Sequence, residues 1–326
     1  MSPPEILEKY MNKKRSQLTS LLSEATRILY EAYIRFDYYQ NGQKMSKFLL
    51  PKGNVSGIFV REISQDMIKD SQALITQTEN WKDYYLLSLK SPLIASQAKP
   101  GQFIMVRINP QPFPLLRRPF SIHSRDGENI EIFFQKIGIG TILLAQKQVH
   151  DSLDILGPLG KGFRIDSNFK GKTVFLVGGG RGIAPLNFLA QELTALGAVV
   201  KIFYGAQNIS DLCLKDKFDQ VGYELFYSTE DGTLGFKGLV SDLLTEKLQD
   251  HIPEFLYSCG PEEMMKKIAQ IARDKEIPAE FSLEAIMGCG FGICWSCVRR
   301  IRKNGQEAWL KICEEGPVFS KEEIIW

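Results

Sequence analysis

Histidine is scarce in this chain, with three residues in 326, at His123, His150 and His251. None stands beside a nucleophile, so the sequence argues against a hydrolytic triad. No uninterrupted apolar run approaches the ~18 residues that cross a bilayer, which excludes a helical membrane span. Basic blocks are missing as well. The 40 Lys and Arg against 38 Asp and Glu leave a net charge of +2, which speaks against nucleic acid as the main partner. The opening stretch MSPPEILEKYMNKKR has neither an apolar core nor a small-residue cleavage site, so the expectation is a cytoplasmic chain with reduced thiols. Cysteine itself is sparse, at six residues.

Four of those six fall in the last 40 residues, at Cys289, Cys294, Cys297 and Cys313. The spacing C-x4-C-x2-C with a distant fourth cysteine is the plant-type pattern for a 2Fe-2S cluster held by four thiolates. Gly288, Gly290 and Gly292 lie among them and let the backbone fold tightly around such a cluster, with N–H groups aimed at its sulfurs. Zinc and disulfides are the competing uses. Structural zinc sites usually show two short C-x2-4-C knuckles, whereas only Cys294 and Cys297 form one here. A long chain of low cysteine content does not need disulfides. Cys213 and Cys259 stand apart and read as small packing residues.

The length predicts two to three domains. The fold class is α/β plus all-β, in four pieces. Residues 1–78 form an N-terminal extension of uncertain role, helical at its start. There Leu18, Leu21, Leu22, Ala25, Ile28, Leu29, Ala32, Tyr33 and Phe36 lie on one stripe, either packed on the chain's own domain or docking another chain. Residues 79–168 carry short β-branched and aromatic runs, with period-two alternation at Ile130, Ile132 and Phe134 and a turn at Asp126-Gly127. Evenly spaced antiparallel strands of this kind close into a Greek-key β-barrel. Residues 169–280 alternate strand and helix, the rhythm of a doubly wound, mostly parallel α/β domain. Residues 281–326 are too few for a large core, and a metal cluster would supply the missing stabilisation.

Two motifs point to nucleotides. TVFLVGGG runs into the helix IAPLNFLAQEL through Gly178, Gly179, Gly180, Arg181 and Gly182, a turn that lets backbone approach a pyrophosphate. Glycines also serve such turns for packing alone, but Tyr227–Gly232 and Ser258–Pro261 follow later strands at the same sheet edge. The acidic Glu230 and Asp231 there would repel a 2′-phosphate, which favours NAD over NADP. In the barrel half, Arg117-Arg118-Pro119-Phe120-Ser121 sets a guanidinium beside an aromatic and a hydroxyl, suited to a phosphate and a flavin ring. Gly138-Ile139-Gly140-Thr141 opens a helix and offers N–H groups to a phosphate oxygen. The competing reading is a surface arginine pair and an ordinary glycine turn.

RRPFSIHS, GIGT, GGGRGIAPL, CGPEEMM and the terminal MGCGFGICWSCV...KICEEGPVF together resemble the electron-transfer subunit of class 1B dihydroorotate dehydrogenase, a branch of the ferredoxin-reductase superfamily. The resemblance spans about residues 80 to 326. It implies FAD, a 2Fe-2S cluster and NAD as cofactors, and an FMN-containing catalytic dehydrogenase subunit as partner in a hetero-tetramer. It also implies roles. Arg118, Pro119, Phe120 and Ser121 would bind FAD, Phe133, Phe134 and Gln135 would border its ring, and Gly140 and Thr141 would take a phosphate. Gly178, Gly179, Gly180 and Gly182 would hold the NAD pyrophosphate, with Cys259, Gly260 and Pro261 beside the nicotinamide. Cys289, Cys294, Cys297 and Cys313 match the cluster ligands, and no catalytic acid or base is implied. The chain departs from the pattern at Arg181, where an apolar residue is usual, and at His123, where a small one is.

The implied function is electron transfer between a dihydroorotate-oxidising partner and NAD. NAD takes a hydride and the cluster single electrons, so FAD must sit between them. Two rivals stand beside this reading. One is an NAD(P)H-dependent reductase subunit serving a ferredoxin, a hydrogenase or a sulfur-metabolising complex; one such relative has an Asp in place of a cluster cysteine, and all four are present here. The other is a non-catalytic scaffold whose cysteines hold zinc.

Overall fold

The computed structural model describes residues 67–109, 114–221 and 223–326. The helical stripe near the N-terminus lies outside them.

The first part of the described chain is a closed barrel of six antiparallel strands in the order β1-β2-β5-β4-β3-β6. They are β1 (Ile68–Trp81), β2 (Tyr84–Lys90), β3 (Phe103–Arg107), β4 (Arg118–Asp126), β5 (Asn129–Gln135) and β6 (Ser152–Leu159). Short helices α1 (Pro92–Gln97) and α2 (Ile139–Leu144) pack on it through Ile94, Ala95 and Leu144. Ile130, Ile132 and Phe134 point inward with Ile104, Ile122 and Leu89, as their alternation requires. The β4–β5 hairpin closes at Asp126 opposite Asn129, with Gly127 at φ +54°.

β1 starts inside the segment assigned to the N-terminal extension, so the boundary at 78/79 cuts through a strand. Its register shifts between Asp70 and Ala73 against β6, and between Ile75 and Gln77 against β2. These irregularities break the period-two signal along a polar stretch, which hid the strand in the sequence.

The second part is a seven-stranded sheet in the order β10-β9-β8-β7-β11-β12-β15. Its strands are β7 (Thr173–Gly179), β8 (Val199–Ala206), β9 (Glu224–Thr229), β10 (Phe236–Lys237), β11 (Phe255–Cys259) and β12 (Ala279–Ser282), all parallel, and an antiparallel edge. Between them run α3 (Ala184–Leu196), α4 (Lys215–Val221), α5 (Val240–Lys247) and α6 (Glu262–Asp274). α3 carries Pro185 in its first turn and stops at Gly197, φ +91°. Its apolar face, Leu186, Leu189 and Leu193, packs on Val174 and Leu176 of β7. Tyr84, Leu86 and Phe133 from the outer wall of the barrel join this same core and fix the barrel against the sheet.

After β12 the chain leaves the sheet, forms the hairpin β13 (Val298–Lys303) and β14 (Gln306–Lys311) and the short helix α7 (Ile312–Glu315), and returns as β15 (Val318–Ser320) beside β12. The cysteine-rich segment is therefore an excursion between two neighbouring strands. A boundary at 280/281 divides β12 and separates β15 from its sheet, because a segment this short borrows the larger sheet for its foundation.

Candidate redox centre and nucleotide cleft

Strand order reverses at β7, with β8 and β9 on one side and β11 and β12 on the other, so the turns after β7 and β11 face each other across the switch point. There a cleft of about 1440 Å³ opens, lined by Gly179, Gly180, Gly182, Gly260 and Pro261 and, on the barrel side, by Tyr84 and Gln135. The glycines have different causes. A Cβ on Gly182 would stand 2.2 Å from the Cys259 carbonyl oxygen, so the two turns touch only because it is absent. Gly180 has φ +52° and open space where a Cβ would go, which leaves its backbone bare to the cleft. Ser228, only 1 % exposed, lines the same cleft, and among the described residues its buried hydroxyl has no hydrogen-bond partner. An orphaned hydroxyl and a bare glycine backbone are what a bound nucleotide satisfies.

Three expectations need adjustment here. Gly178 and Cys259 lie beneath the cleft wall. A Cβ on Gly178 would meet Ile183, and Cys259 is 3 % exposed in the apolar core, where burial pushes its thiol up. Of the acidic pair, Glu230 lines the cleft, whereas Asp231 spends its carboxylate on the Thr233 N–H and hydroxyl. Asp211 and Arg299 reach the cleft from distant segments, and no local pattern marked them.

On the barrel the arginine pair divides. Arg117 is a structural residue, its guanidinium held by the Asp154 carboxylate at 2.8 Å and carbonyl at 2.7 Å. Arg118 lies against Gly140, where a Cβ would come within 2.8 Å of its Nε, so the missing side chain makes the place for the guanidinium. The Thr141 hydroxyl accepts from the Ile137 and Gly138 N–H groups at 3.0 and 3.1 Å, and builds that turn. Phe120 and Phe134 fill the barrel core, with ring centroids 5.5 Å apart, and are not free to stack on a ligand. The alternation that identifies β5 puts Phe134 inside and leaves Phe133 and Gln135 on the other face. Phe133 is covered by Tyr84, stacked at 5.7 Å. Pro119 and Ser121 remain partly exposed.

His123, two residues beyond Ser121, is buried between barrel and α3, with Nδ1 at 2.9 Å from the Ala184 carbonyl oxygen. Burial pulls its imidazole down to about 4, although the carbonyl bond opposes this. The folded pKa lies below the unfolded one, so the stability from the neutral ring is complete above about pH 6.5 and is lost as pH falls toward 4. The loss is on the order of 3 kcal/mol. In thermal unfolding followed between pH 7 and 4.5, the wild type is expected to lose more stability than His123→Asn, which keeps a donor and cannot titrate.

All six cysteines are free thiols, and the terminal four are drawn together by their own backbone. The Cys289 and Cys294 N–H groups donate to each other's sulfur at 3.3 and 3.4 Å. Gly292 N–H donates to Cys313 Sγ at 3.1 Å, and Cys313 N–H to Cys297 Sγ at 3.4 Å. The Cys294 thiol holds Cys289 well below the usual thiol range, and Cys313 does the same for Cys297, while Cys294 and Cys313 are held above it as the donors. Among the described residues no three ligating side chains group around a single ion. Thiols linked in a chain of pairs, each met by N–H donors, suit a binuclear cluster taken two by two. Gly290, φ +85°, lies on Met105 of β3, where a Cβ would overlap Met105 Cγ at 2.4 Å. Met105 pairs across the strands with Pro119. The thiol loop thus rests on the barrel wall that carries Arg118–Ser121.

The fold has solved counterparts. The structure of an NADH-dependent reduced ferredoxin-NADP oxidoreductase, described for flavin-based electron bifurcation, is similar at TM-score 0.69 and 28 % identity over 79 % of this chain and 91 % of that one. A ferredoxin NADP+ reductase from Neisseria gonorrhoeae with bound FAD and NADP shares the fold at TM-score 0.54 and 19 % identity, over 65 % of this chain and 92 % of that one. Barrel, sheet and cleft define a ferredoxin-reductase-like oxidoreductase. Residues 176–270 match the oxidoreductase NAD-binding domain, and residues 284–325 the iron-sulfur cluster binding domain of dihydroorotate dehydrogenase B. Dihydroorotate dehydrogenase B (NAD(+)) electron transfer subunits from Desulforamulus reducens and a Geobacillus species are each 39 % identical. The matches cover 74 and 75 % of this chain and 92 and 93 % of those proteins. The chain belongs to this family of electron transfer subunits.

Proposed function

We propose that this chain links a catalytic subunit, which oxidises dihydroorotate on its own FMN, to NAD, and that the two subunits work as a hetero-tetramer. The observation that carries the reading is the contact of Gly290 with Met105, the cross-strand neighbour of Pro119. It supports a single path from the four thiols to the barrel wall and on to the cleft that begins at Gln135 and Tyr84.

Cys289, Cys294, Cys297 and Cys313 would hold the 2Fe-2S cluster, Arg118 with Pro119, Ser121 and the Gly140 turn the FAD, and Gly180, Gly182, Gly260 and Pro261 the NAD. Bound FAD supplies conversion between single electrons and hydride. The protein's own contribution is placement. Arg118 brings a fixed positive charge to a phosphate, the Gly180 backbone and Ser228 hydroxyl wait for the nucleotide, and N–H donors stabilise charge on the cluster thiolates. Tyr84 and Phe133, packed in the shared core, keep barrel and sheet from drifting apart.

The partner surface follows from exposure. Ile286 and Trp295, in the cysteine-rich segment, and Trp309, on β14, are 87, 56 and 64 % exposed, whereas Phe291 and Ile293 are half-buried. Exposed apolar side chains around a redox site suit a docking face for another subunit. Co-expression with an FMN-containing dihydroorotate dehydrogenase subunit is expected to yield a stable complex with dihydroorotate:NAD activity. Trp295→Ala should weaken assembly by roughly 30-fold, the scale of an aromatic hot spot, and should slow NADH-driven dye reduction far less. Oxidation of dihydroorotate by the isolated chain would contradict the reading. Efficient ferredoxin reduction without complex formation would favour a reductase subunit instead.

A further inference from the structure

We infer that Lys311 and Glu314 are a positioning pair that sets the reduction potential of the cluster, by fixing the Gly292 peptide against Cys313. The inference rests on the cluster reading of the four thiols.

Lys311 is the last residue of β14, and Glu314 lies on α7 next to Cys313. Their side chains are ion-paired, and each is only 12 % exposed. A lysine and a glutamate this far from water persist only as a pair. Lys311 Nζ also donates to the Gly292 carbonyl oxygen at 2.8 Å and stands 5.0 Å from the Trp295 ring centre, a cation–π contact. Glu314 closes on Gly292 from the other side, where a Cβ would come 2.8 Å from its Oε2. Gly292 therefore has its carbonyl held by Lys311, its α-carbon covered by Glu314, and a left-handed φ of +89° that its lack of a side chain permits. In that pose its N–H points at Cys313 Sγ, 3.1 Å away.

Hydrogen bonds to the sulfurs, net charge and solvent exposure set the potential of a thiolate-bound cluster. The pair acts on the first two. It aims one N–H···S bond, and it keeps an ammonium and a carboxylate beside the cysteines with their charges balanced. Reduction adds one negative charge to the site. Removing the ammonium strands the Glu314 carboxylate and disfavours the reduced state, and removing the carboxylate leaves the ammonium and favours it.

The test is an EPR-monitored redox titration of the purified full chain, with iron per chain measured on the same samples. Lys311→Gln is expected to shift the oxidised-to-reduced equilibrium roughly tenfold toward oxidised, a potential about 59 mV lower. Glu314→Gln should move it in the opposite direction, and Lys311→Arg, which keeps charge and donor, should restore most of the wild-type value. A merely structural brace would alter iron content and leave the potential of the loaded fraction in place. Iron-loaded Lys311→Gln and Glu314→Gln proteins with the wild-type potential would overturn the inference, as would folded variants that all lose iron. A wild-type protein without iron would instead overturn the cluster reading itself.

Discussion

Cys294→Ser is expected to empty the cluster site while the flavin stays bound. Cys294 is half of the reciprocal N–H···S pair with Cys289, and its sulfur meets the Ser296 hydroxyl at 3.2 Å, so its loss removes one of four thiolates and loosens the loop. Arg118 and the Gly140 turn lie on a separate segment and are untouched. Iron should fall from about two per flavin to near zero. Transfer to or from a one-electron partner should drop by roughly a hundredfold or more, whereas NADH-driven reduction of a two-electron dye stays within about twofold, because hydride exchange between NAD and FAD needs no cluster. Wild-type iron content in the variant would refute the ligand assignment.

The second large effect is expected at Gly182. Its hypothetical Cβ stands 2.2 Å from the Cys259 carbonyl oxygen and 2.4 Å from the Gly260 α-carbon, so Gly182→Ala must push one turn off the other. Backbone does not yield as a flexible side chain would, and overpacking of this kind costs about 1–3 kcal/mol. The displaced turn is also the cleft wall, so the KM for NADH should rise by roughly tenfold or more while flavin content holds. Gly180→Ala provides the contrast. It meets no atom within 4 Å but has φ +52°, so it carries a strain of about 1–2 kcal/mol and no clash, and its methyl enters the cleft itself. A Gly182→Ala protein with unchanged melting temperature and KM would show that the two turns separate more easily than their packing implies.

Elements with an uninterrupted period were legible in the sequence. Ile130, Ile132 and Phe134 marked a strand with an inward face, and the VFLV run before the glycine turn marked a strand of the parallel sheet, which the structure places at its centre. That the four terminal cysteines form one group was legible for a different reason, since their close spacing and the glycines among them let the backbone draw the thiols together. What could not be read depended on pairing across the fold. β1 is interrupted by two register shifts. β15 returns to β12 after the whole cysteine excursion. Within the site, motif reading treated neighbours as equivalent where the structure divides them. Arg117 is spent on Asp154 while Arg118 is not, Asp231 closes its own turn while Glu230 faces the cleft, and Phe134 is core while Gln135 is cleft. Side-chain direction along a strand accounts for the last of these, and partners distant in sequence for Arg117.

We propose that electrons follow one path between NAD, the barrel flavin and the four thiols. Anaerobic addition of NADH to the purified protein, followed by EPR at low temperature, tests it most directly. The expected result is the paramagnetic signal of a one-electron-reduced 2Fe-2S cluster, at close to one spin per chain, absent from Cys294→Ser. A protein that stays silent under NADH, with zinc in place of iron at the four cysteines, would contradict the account.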